Sequence, residues 1–196
     1  MRKTEIHSKN IIAYIEYLKS TGLTVTLHGG YISNSMFVEY NYHQNPYCHY
    51  VKNVYGKWQE CVCNQTKALE KVKTGAYFGC CHAGVGEFVY PVSVEDEVRC
   101  FVSVSGYLSP FTEEKSKHFA AKYSLPEDEI GELAKKYLKR EVPEKELVDA
   151  VIEPLTFMLE AYFKRQRQDL SQEGQLYYKI LGFVTENCHS RITMKQ

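Results

Sequence analysis

The feature that most constrains the fold is a pair of β-rich segments, residues 88–94 and 98–105, joined by the acidic run 95–97. In the second segment apolar and polar residues alternate strictly, as they do in a half-buried strand. Pro91 removes a ladder donor from the first segment and therefore favours an edge strand or a bulge. Together the segments predict an antiparallel hairpin with one apolar face. The apolar positions of its second strand are Val98, Cys100, Val102 and Val104.

Strand patterns are concentrated in the first 110 residues, and helical patterns follow them. Residues 23–28 (LTVTLH) alternate like a further strand, and residues 36–40 (MFVEY) predict another. After Pro110 the chain is dominated by amphipathic helical segments. This order predicts the α+β class, with a central antiparallel sheet and helices packed on one side of it.

The longest helical pattern begins near Pro143 and has an apolar stripe with a period of about 3.6 residues. The stripe is wider than one face of a sheet requires. We therefore expect this helix to form the interface of a homodimer. The members of the stripe are Val148, Val151, Ile152, Leu155, Leu159, Tyr162 and Phe163.

The charge composition argues against several classes of function. The 196 residues include 24 Lys and Arg and 24 Asp and Glu, so the chain offers no basic field for nucleic acid and no polybasic membrane patch. No apolar run approaches the roughly 20 residues of a membrane span, and the N-terminus lacks the apolar core of a signal peptide. We therefore expect a cytoplasmic protein whose seven cysteines are mostly reduced thiols.

Three cysteines and a histidine form a series along the chain: Cys48, Cys61, Cys81 and His82. Three thiolates and an imidazole are a ligand set that zinc accepts, and thiolates also hold iron–sulfur clusters. Structural zinc sites, however, bring their ligands in close pairs, and these spacings are wider. Free cysteine is also among the most buried residue types, so the same residues fit a core or a pocket wall. A metal site, a redox site and a pocket wall all remain open at this point.

The run CCHAGVGEFVYPV, residues 80–92, has glycines at 84 and 86 but no Gly-Lys-Ser, so it is not a phosphate-binding loop. It predicts a sharp turn into a strand. Adjacent residues on a strand point to opposite faces, so Cys81 and His82 would not form a nucleophile–base pair there. An enzyme using Cys81 would need a base from elsewhere, such as His28, His43 or His49, and it remains the weakest alternative.

These residues together resemble a known family. NPYC at 45–48, Cys61, CHAGVGEFVYPV at 81–92 and VSVSGY at 102–107 are similar to the PocR-type sensory domain of bacterial transcription regulators and signalling proteins. The resemblance implies a PAS-like fold, in which helices cover a curved antiparallel sheet and enclose a small-molecule pocket. It also implies a ligand-binding regulatory role without catalysis.

The C-terminal residues 177–196 resemble the opening helix of an AraC-type DNA-binding domain. The resemblance implies a sensory domain over 1–110, a helical extension for signalling and dimerisation over 111–170, and a truncated DNA-binding domain over 171–196. Because the recognition helix is missing, DNA would be bound only through the absent helix-turn-helix region.

The resemblance also implies a set of ligand-binding residues, while the identity of any cofactor stays unknown and a metal ion is the minority alternative. Arg99 is the sole positive charge in residues 77–107, so a phosphate would find no partner there. We therefore expect a small, neutral or weakly polar organic metabolite. The implied ligand-binding residues are Cys48, Cys61, Cys81, His82, Glu87, Tyr90 and Tyr107, and the first four are also the metal candidates.

Overall fold

The computed structural model describes residues 3–168 apart from Asn34 and Glu95, together with residues 176, 180 and 183. Within these residues, four antiparallel strands form one sheet in the order β1-β4-β3-β2. The α+β class predicted from the sequence is confirmed. The strands are β1 (Val25–His28), β2 (Tyr77–Cys80), β3 (Gly86–Val94) and β4 (Glu97–Tyr107). The α-helices are α1 (Lys3–Ser20), α2 (Gly30–Ser33), α3 (Pro46–His49), α4 (Trp58–Val72), α5 (Pro110–Lys122), α6 (Glu127–Tyr137) and α7 (Lys145–Gln168).

The predicted hairpin is confirmed as β3 and β4, which are paired with Phe88 opposite Val104 and Tyr90 opposite Val102. Both strands lie inside the sheet, but at Pro91 β3 has a neighbour on one side only, and an irregularity lies next to it between Val92 and Ser93. Pro91 is tolerated because β2 is short: the pairing of β2 with β3 ends at Val89, and Pro91 lies beyond that point.

The predicted strand at 36–40 is wrong, because the chain forms a 3₁₀ turn at Val38–Tyr40. A local hydrogen bond favours the turn: the backbone N–H of Phe37 donates to the Ser35 hydroxyl over 3.1 Å. Phe37 is fully buried, whereas Val38 is exposed. The segment therefore anchors itself with one aromatic ring instead of adding a strand.

Helices α1 and α7 cover the apolar face of the sheet, and α7 packs against both α1 and β3. The apolar stripe of α7 is buried here within one chain: Ile152, Leu155 and Leu159 are all 0% exposed. This burial removes the reason for expecting that stripe to be a dimer interface. The sequence pattern did not reveal that α1 adds a second apolar surface for α7 to cover.

The opposite face of the sheet is also covered, so the expectation of helices on one side only is wrong. Helix α3, a π-helix at Tyr50–Val54 and α4 lie over this face, and α5 and α6 pack beside them around a second apolar cluster. Asn45 caps α3, because its side chain accepts from the Tyr47 N–H and Pro46 supplies the first helical residue.

The resemblance of residues 177–196 to a DNA-binding domain concerns a segment outside the described residues, apart from 180 and 183. None of the helices in the described ranges is long and apolar enough to cross a membrane.

Candidate functional site: a cavity on the polar face of the sheet

The two faces of the sheet differ in polarity, although both are buried. Apolar side chains of β1, β3 and β4 pack toward α1 and α7. The polar side chains at the alternate positions point toward α3 and α4, where water would be expected in a half-exposed sheet. Here they are at most 5% exposed. The residues of this polar face are Thr26, His28, Glu87, Ser103 and Ser105.

A cavity lies between this polar face and its covering helices. Its volume is about 30 Å³. A space of this size accommodates about two or three water molecules, so a ligand with only a few non-hydrogen atoms fits. The cavity is lined by His28, His43, Tyr47, Cys48, Val51, Lys52, Cys61, Asn64, Gln65, Ala68, Cys81, His82, Ala83, Val85, Glu87 and Phe101.

The loop between β2 and β3 forms one end of the cavity. The Cys81 N–H donates to the Val85 carbonyl over 3.0 Å and closes a tight turn. Gly84 has φ +81, and a Cβ there would lie 2.5 Å from the Thr112 carbonyl oxygen and 2.6 Å from the Ser116 nitrogen. Only glycine allows the loop to approach α5 this closely. The predicted sharp turn into a strand is confirmed.

Cys61 and His82 meet in the cavity wall, with 3.2 Å between Sγ and Nε2. Burial raises the pKa of the Cys61 thiol to about 11 and lowers the pKa of His82 to about 4. Both groups are therefore neutral near pH 7, and the pair is not a thiolate–imidazolium. The backbone N–H of His82 donates to Asn64 Oδ1 over 3.2 Å, but the buried Nδ1 of His82 has no partner in the described part of the chain.

Two further histidines, His28 and His43, lie together in the cavity wall. His28 Nε2 is 3.1 Å from His43 Nε2, and the Ser103 hydroxyl is 3.1 Å and 3.3 Å from these two nitrogens. Burial lowers the pKa of His43 to about 3 and that of His28 well below its ordinary value. Two neutral imidazoles can share one hydrogen bond, in which one Nε2 donates and the other accepts. A hydrogen bond with the Asn41 side chain opposes part of the lowering of the His28 pKa.

Glu87 is the acidic group of the cavity. Its side chain is 5% exposed, and burial raises the pKa of its carboxyl to about 7. No hydrogen bond or ion pair joins this carboxyl to another residue in the described ranges. A buried carboxyl without a partner is costly, so Glu87 offers an unused donor or acceptor to whatever enters the cavity.

Lys52 brings a positive charge to the cavity from the π-helix. Its Nζ lies 4.9 Å from the centre of the Trp58 ring, and its charge lowers the pKa values of His28, His43 and Cys48. The expectation that an anionic ligand would find no partner rested on residues 77–107. Lys52 lies outside that range. Lys52 is half-buried and is held by a cation–π contact.

Five of the seven sequence-predicted site residues line one cavity: Cys48, Cys61, Cys81, His82 and Glu87. Tyr90 and Tyr107 belong to the apolar core on the opposite face of the sheet. Tyr90 cannot share a face with Glu87, because the two lie an odd number of positions apart on a regular strand. The prediction that the seven form one group therefore needs correction in these two residues.

The metal alternative gains no support from the geometry. Across residues 3–168, with 34 and 95 left aside, no three His, Cys, Asp or Glu side chains are arranged to hold a metal ion. The six cysteines of these ranges are free thiols. The raised pKa values of Cys48, Cys61 and Cys81 also oppose the thiolate form that a metal requires.

A comparison with protein families decides the assignment. A family model described as the sensory domain found in PocR matches residues 16–166, more than three quarters of the chain. The chain belongs to this family. No curated protein and no solved structure matches the chain.

The match to the PocR sensory domain extends beyond the hairpin and includes every residue that lines the cavity, as well as most of α7. Sequence analysis of this PocR domain found the cysteines, His82 and Glu87 but did not place His28, His43 and Lys52 in a binding site. For His28 a signal was available, since LTVTLH puts a histidine on the polar side of an alternating strand. For Lys52 the sequence offered no such signal, because a single lysine in a sequence usually lies on the surface.

Proposed function

We propose that this chain is the small-molecule-sensing domain of a bacterial transcription regulator of the AraC family, and that its ligand binds in the cavity beside Glu87 and His82. The carrying observation is a pair of polar groups buried there: the Glu87 carboxyl, whose pKa is raised by burial alone, and Nδ1 of His82, which has no partner among the described residues. Buried polar groups in proteins are almost always hydrogen-bonded. A ligand that supplies those bonds gains affinity from groups that the protein leaves unsatisfied.

The chemistry of the cavity favours a small, neutral molecule that carries hydroxyl groups. A hydroxyl can donate to the Glu87 carboxyl and accept from an imidazole N–H, so it suits both kinds of group. A carboxylate ligand would face Glu87, and Lys52 is the sole basic side chain, apart from neutral histidines, that lines the cavity. The small volume excludes nucleotides unless the covering helices move.

The proposed signal leaves the cavity through β3, which is the wall shared by the two buried faces. On its other face the Tyr90 hydroxyl donates to Asp149 Oδ1 over 2.6 Å, and the Ser93 N–H donates to Glu160 Oε1 over 2.8 Å. Both acceptors are on α7, which is followed by the residues that resemble a DNA-binding domain. A ligand that shifts β3 would therefore shift α7.

The remaining parts of the proposal concern context. The division at residues 110 and 170 stays a prediction, and we propose that the protein acts as a homodimer that contacts DNA through its helix-turn-helix region. We propose a cytoplasmic location, which agrees with the free thiols of the described cysteines. We propose no catalytic turnover, and this agrees with the neutral state of the Cys61–His82 pair.

The direct test is a crystal structure and native mass spectrum of protein purified without a chelator or added ligand. We expect density for a small organic molecule within hydrogen-bond distance of Glu87 or His82, and a mass difference that matches it. Density for a tetrahedral metal bound by Cys48, Cys61 and Cys81 would overturn the proposal in favour of a metal sensor.

A further inference from the structure

Helix α7 has a second apolar stripe, on the face opposite to the one that it buries. Two of its members, Leu147 and Phe157, are 64% and 65% exposed. Apolar side chains that are contiguous on a free surface mark interaction sites. The exposed members of this outer stripe are Leu147, Ala150, Pro154, Phe157 and Ala161.

The spacing of the outer stripe is that of a coiled-coil seam. Its members follow one another at intervals of three, four, three and four residues, which is the pattern of the a and d positions of a heptad repeat. Two of its five members are alanines, which allow two helices to approach closely. A second copy of the same helix therefore presents small residues and large ones with a matching period.

The residues that flank the outer stripe also distinguish between orientations. One flank, in the g positions, consists of glutamates, whereas the other, in the e positions, has two apolar residues followed by an arginine. The g positions are Glu146, Glu153 and Glu160, and the e positions are Val151, Met158 and Arg165.

In an antiparallel pair the g positions face one another, so Glu153 would lie opposite its own copy and like charges would repel. In a parallel pair the g positions face the e positions instead, so the glutamates of the two copies do not face one another. A parallel arrangement also places both chains at residue 168 side by side, and 28 further residues follow in each copy.

We propose that the outer stripe of α7 is the dimer interface of this protein, formed by a parallel pairing with α7 of a second copy. The inference goes beyond ligand sensing and does not depend on the identity of the ligand. The proposed interface is the outer stripe, which is exposed in one chain. The inner stripe is already covered by the sheet and α1.

The test is the association of the full chain, measured by sedimentation equilibrium across the micromolar range. We expect a dimer for the wild type, and we expect Phe157→Glu to raise the dissociation constant by at least about 30-fold, because it places a charge at the centre of the seam. The matched control is Phe111→Glu on α5, which alters an aromatic side chain that is 56% exposed away from the stripe.

Both variants change exposed side chains, and far-UV circular dichroism spectra that match the wild type verify that both are folded. The orientation is tested by Ala150→Cys, which in a parallel pair forms a disulfide with the same position of the other copy, as identified by peptide mass spectrometry. A monomeric wild type would overturn the proposal, and so would a dimer that Phe157→Glu and Phe111→Glu affect equally. Disulfides that join position 150 to any cysteine other than position 150 of the second copy would overturn the parallel arrangement.

Discussion

Glu87 and Tyr90 lie three residues apart on β3 and point to opposite faces of the sheet. Glu87 lines the cavity, whereas the Tyr90 hydroxyl donates to Asp149 of α7 over 2.6 Å. The same strand therefore forms the wall of the cavity and the support of helix α7. Residues expected to bind the ligand therefore lie on one face of β3, and residues expected to transmit the signal to α7 lie on the other. Substitutions can test the two roles independently.

Removal of the Tyr90 hydroxyl tests the transmitting side. Because the hydrogen bond to Asp149 is partly buried and charge-assisted, Tyr90→Phe should lower the free energy of unfolding by about 1 to 3 kcal/mol. Ligand binding in the cavity should be unchanged, since the ring stays in the opposite core. Urea denaturation measures the loss. An unchanged stability would show that the bond does not hold α7 to the sheet.

The carboxyl of Glu87 should make stability depend on pH. Its pKa is about 7 in the folded protein and near 4.5 without burial, so between these values the folded state holds a proton that the unfolded state has lost. Stability from this group is complete below pH 4.5 and falls as the pH rises toward 7, by about 3 kcal/mol in total.

The measurement is urea denaturation of wild type and Glu87→Gln at several pH values from 5 to about 8. The difference between the two curves isolates Glu87 from the histidines, which titrate in both proteins. The control is Glu114→Gln, an exposed residue on α5, which should follow the wild type. Identical pH slopes for wild type and Glu87→Gln would mean that the carboxyl is not held in a buried site.

Two glycines offer a matched test of the loop that ends the cavity. Gly84→Ala places a methyl group 2.5 Å from a backbone oxygen of α5 at a φ of +81, so it should destabilise the protein by more than about 2 kcal/mol. Gly131→Ala lies in α6 with nothing within 4 Å, and it should stabilise by about 0.5 to 1 kcal/mol. Thermal melts of both variants check the prediction, which fails if their effects have the same sign.

The neutral Cys61–His82 pair makes a prediction about thiol reactivity. Because the pKa of Cys61 is about 11, its alkylation rate in the folded protein should keep rising with pH to at least about pH 10. Mass spectrometry of peptides after pulses of iodoacetamide resolves this thiol from the others. A rate that reaches a plateau below pH 8 would indicate a thiolate–imidazolium pair and would favour the catalytic or redox alternatives.

The sequence predicted the hairpin well because period-2 alternation over residues 98–105 leaves few alternatives. It also located five of the residues that line the cavity, through the resemblance of two short motifs and Cys61 to a known family. It failed where the outcome depended on partners distant in the chain. Alternation in LTVTLH assigned the apolar and polar residues of β1 to opposite faces. It could not show that α3 and α4 would cover the polar face.

The inner and outer stripes of α7 illustrate the same limit. Periodicity identified Ile152 and Leu155 as apolar and aligned, but whether a stripe contacts its own chain or another depends on how many elements surround it. Tyr90 was assigned to the wrong face for a simpler reason. Successive residues of a strand point to opposite faces, and this alternation was not considered within the motif. Counting from Glu87 would have assigned Tyr90 to the opposite face.

The central claim is that the cavity beside His82 and Glu87 binds a small neutral ligand, and thermal melts with a panel of small hydroxylated compounds, sugars and nucleotides test it most directly. A ligand at 100 times its dissociation constant should add about 2.7 kcal/mol to the stability of the wild type. We predict that a small hydroxylated compound gives this response, that His82→Ala and Glu87→Gln lose it while remaining folded, and that Tyr90→Phe keeps it. A wild type that responds only to nucleotides, or a His82→Ala variant that responds fully, would contradict the account.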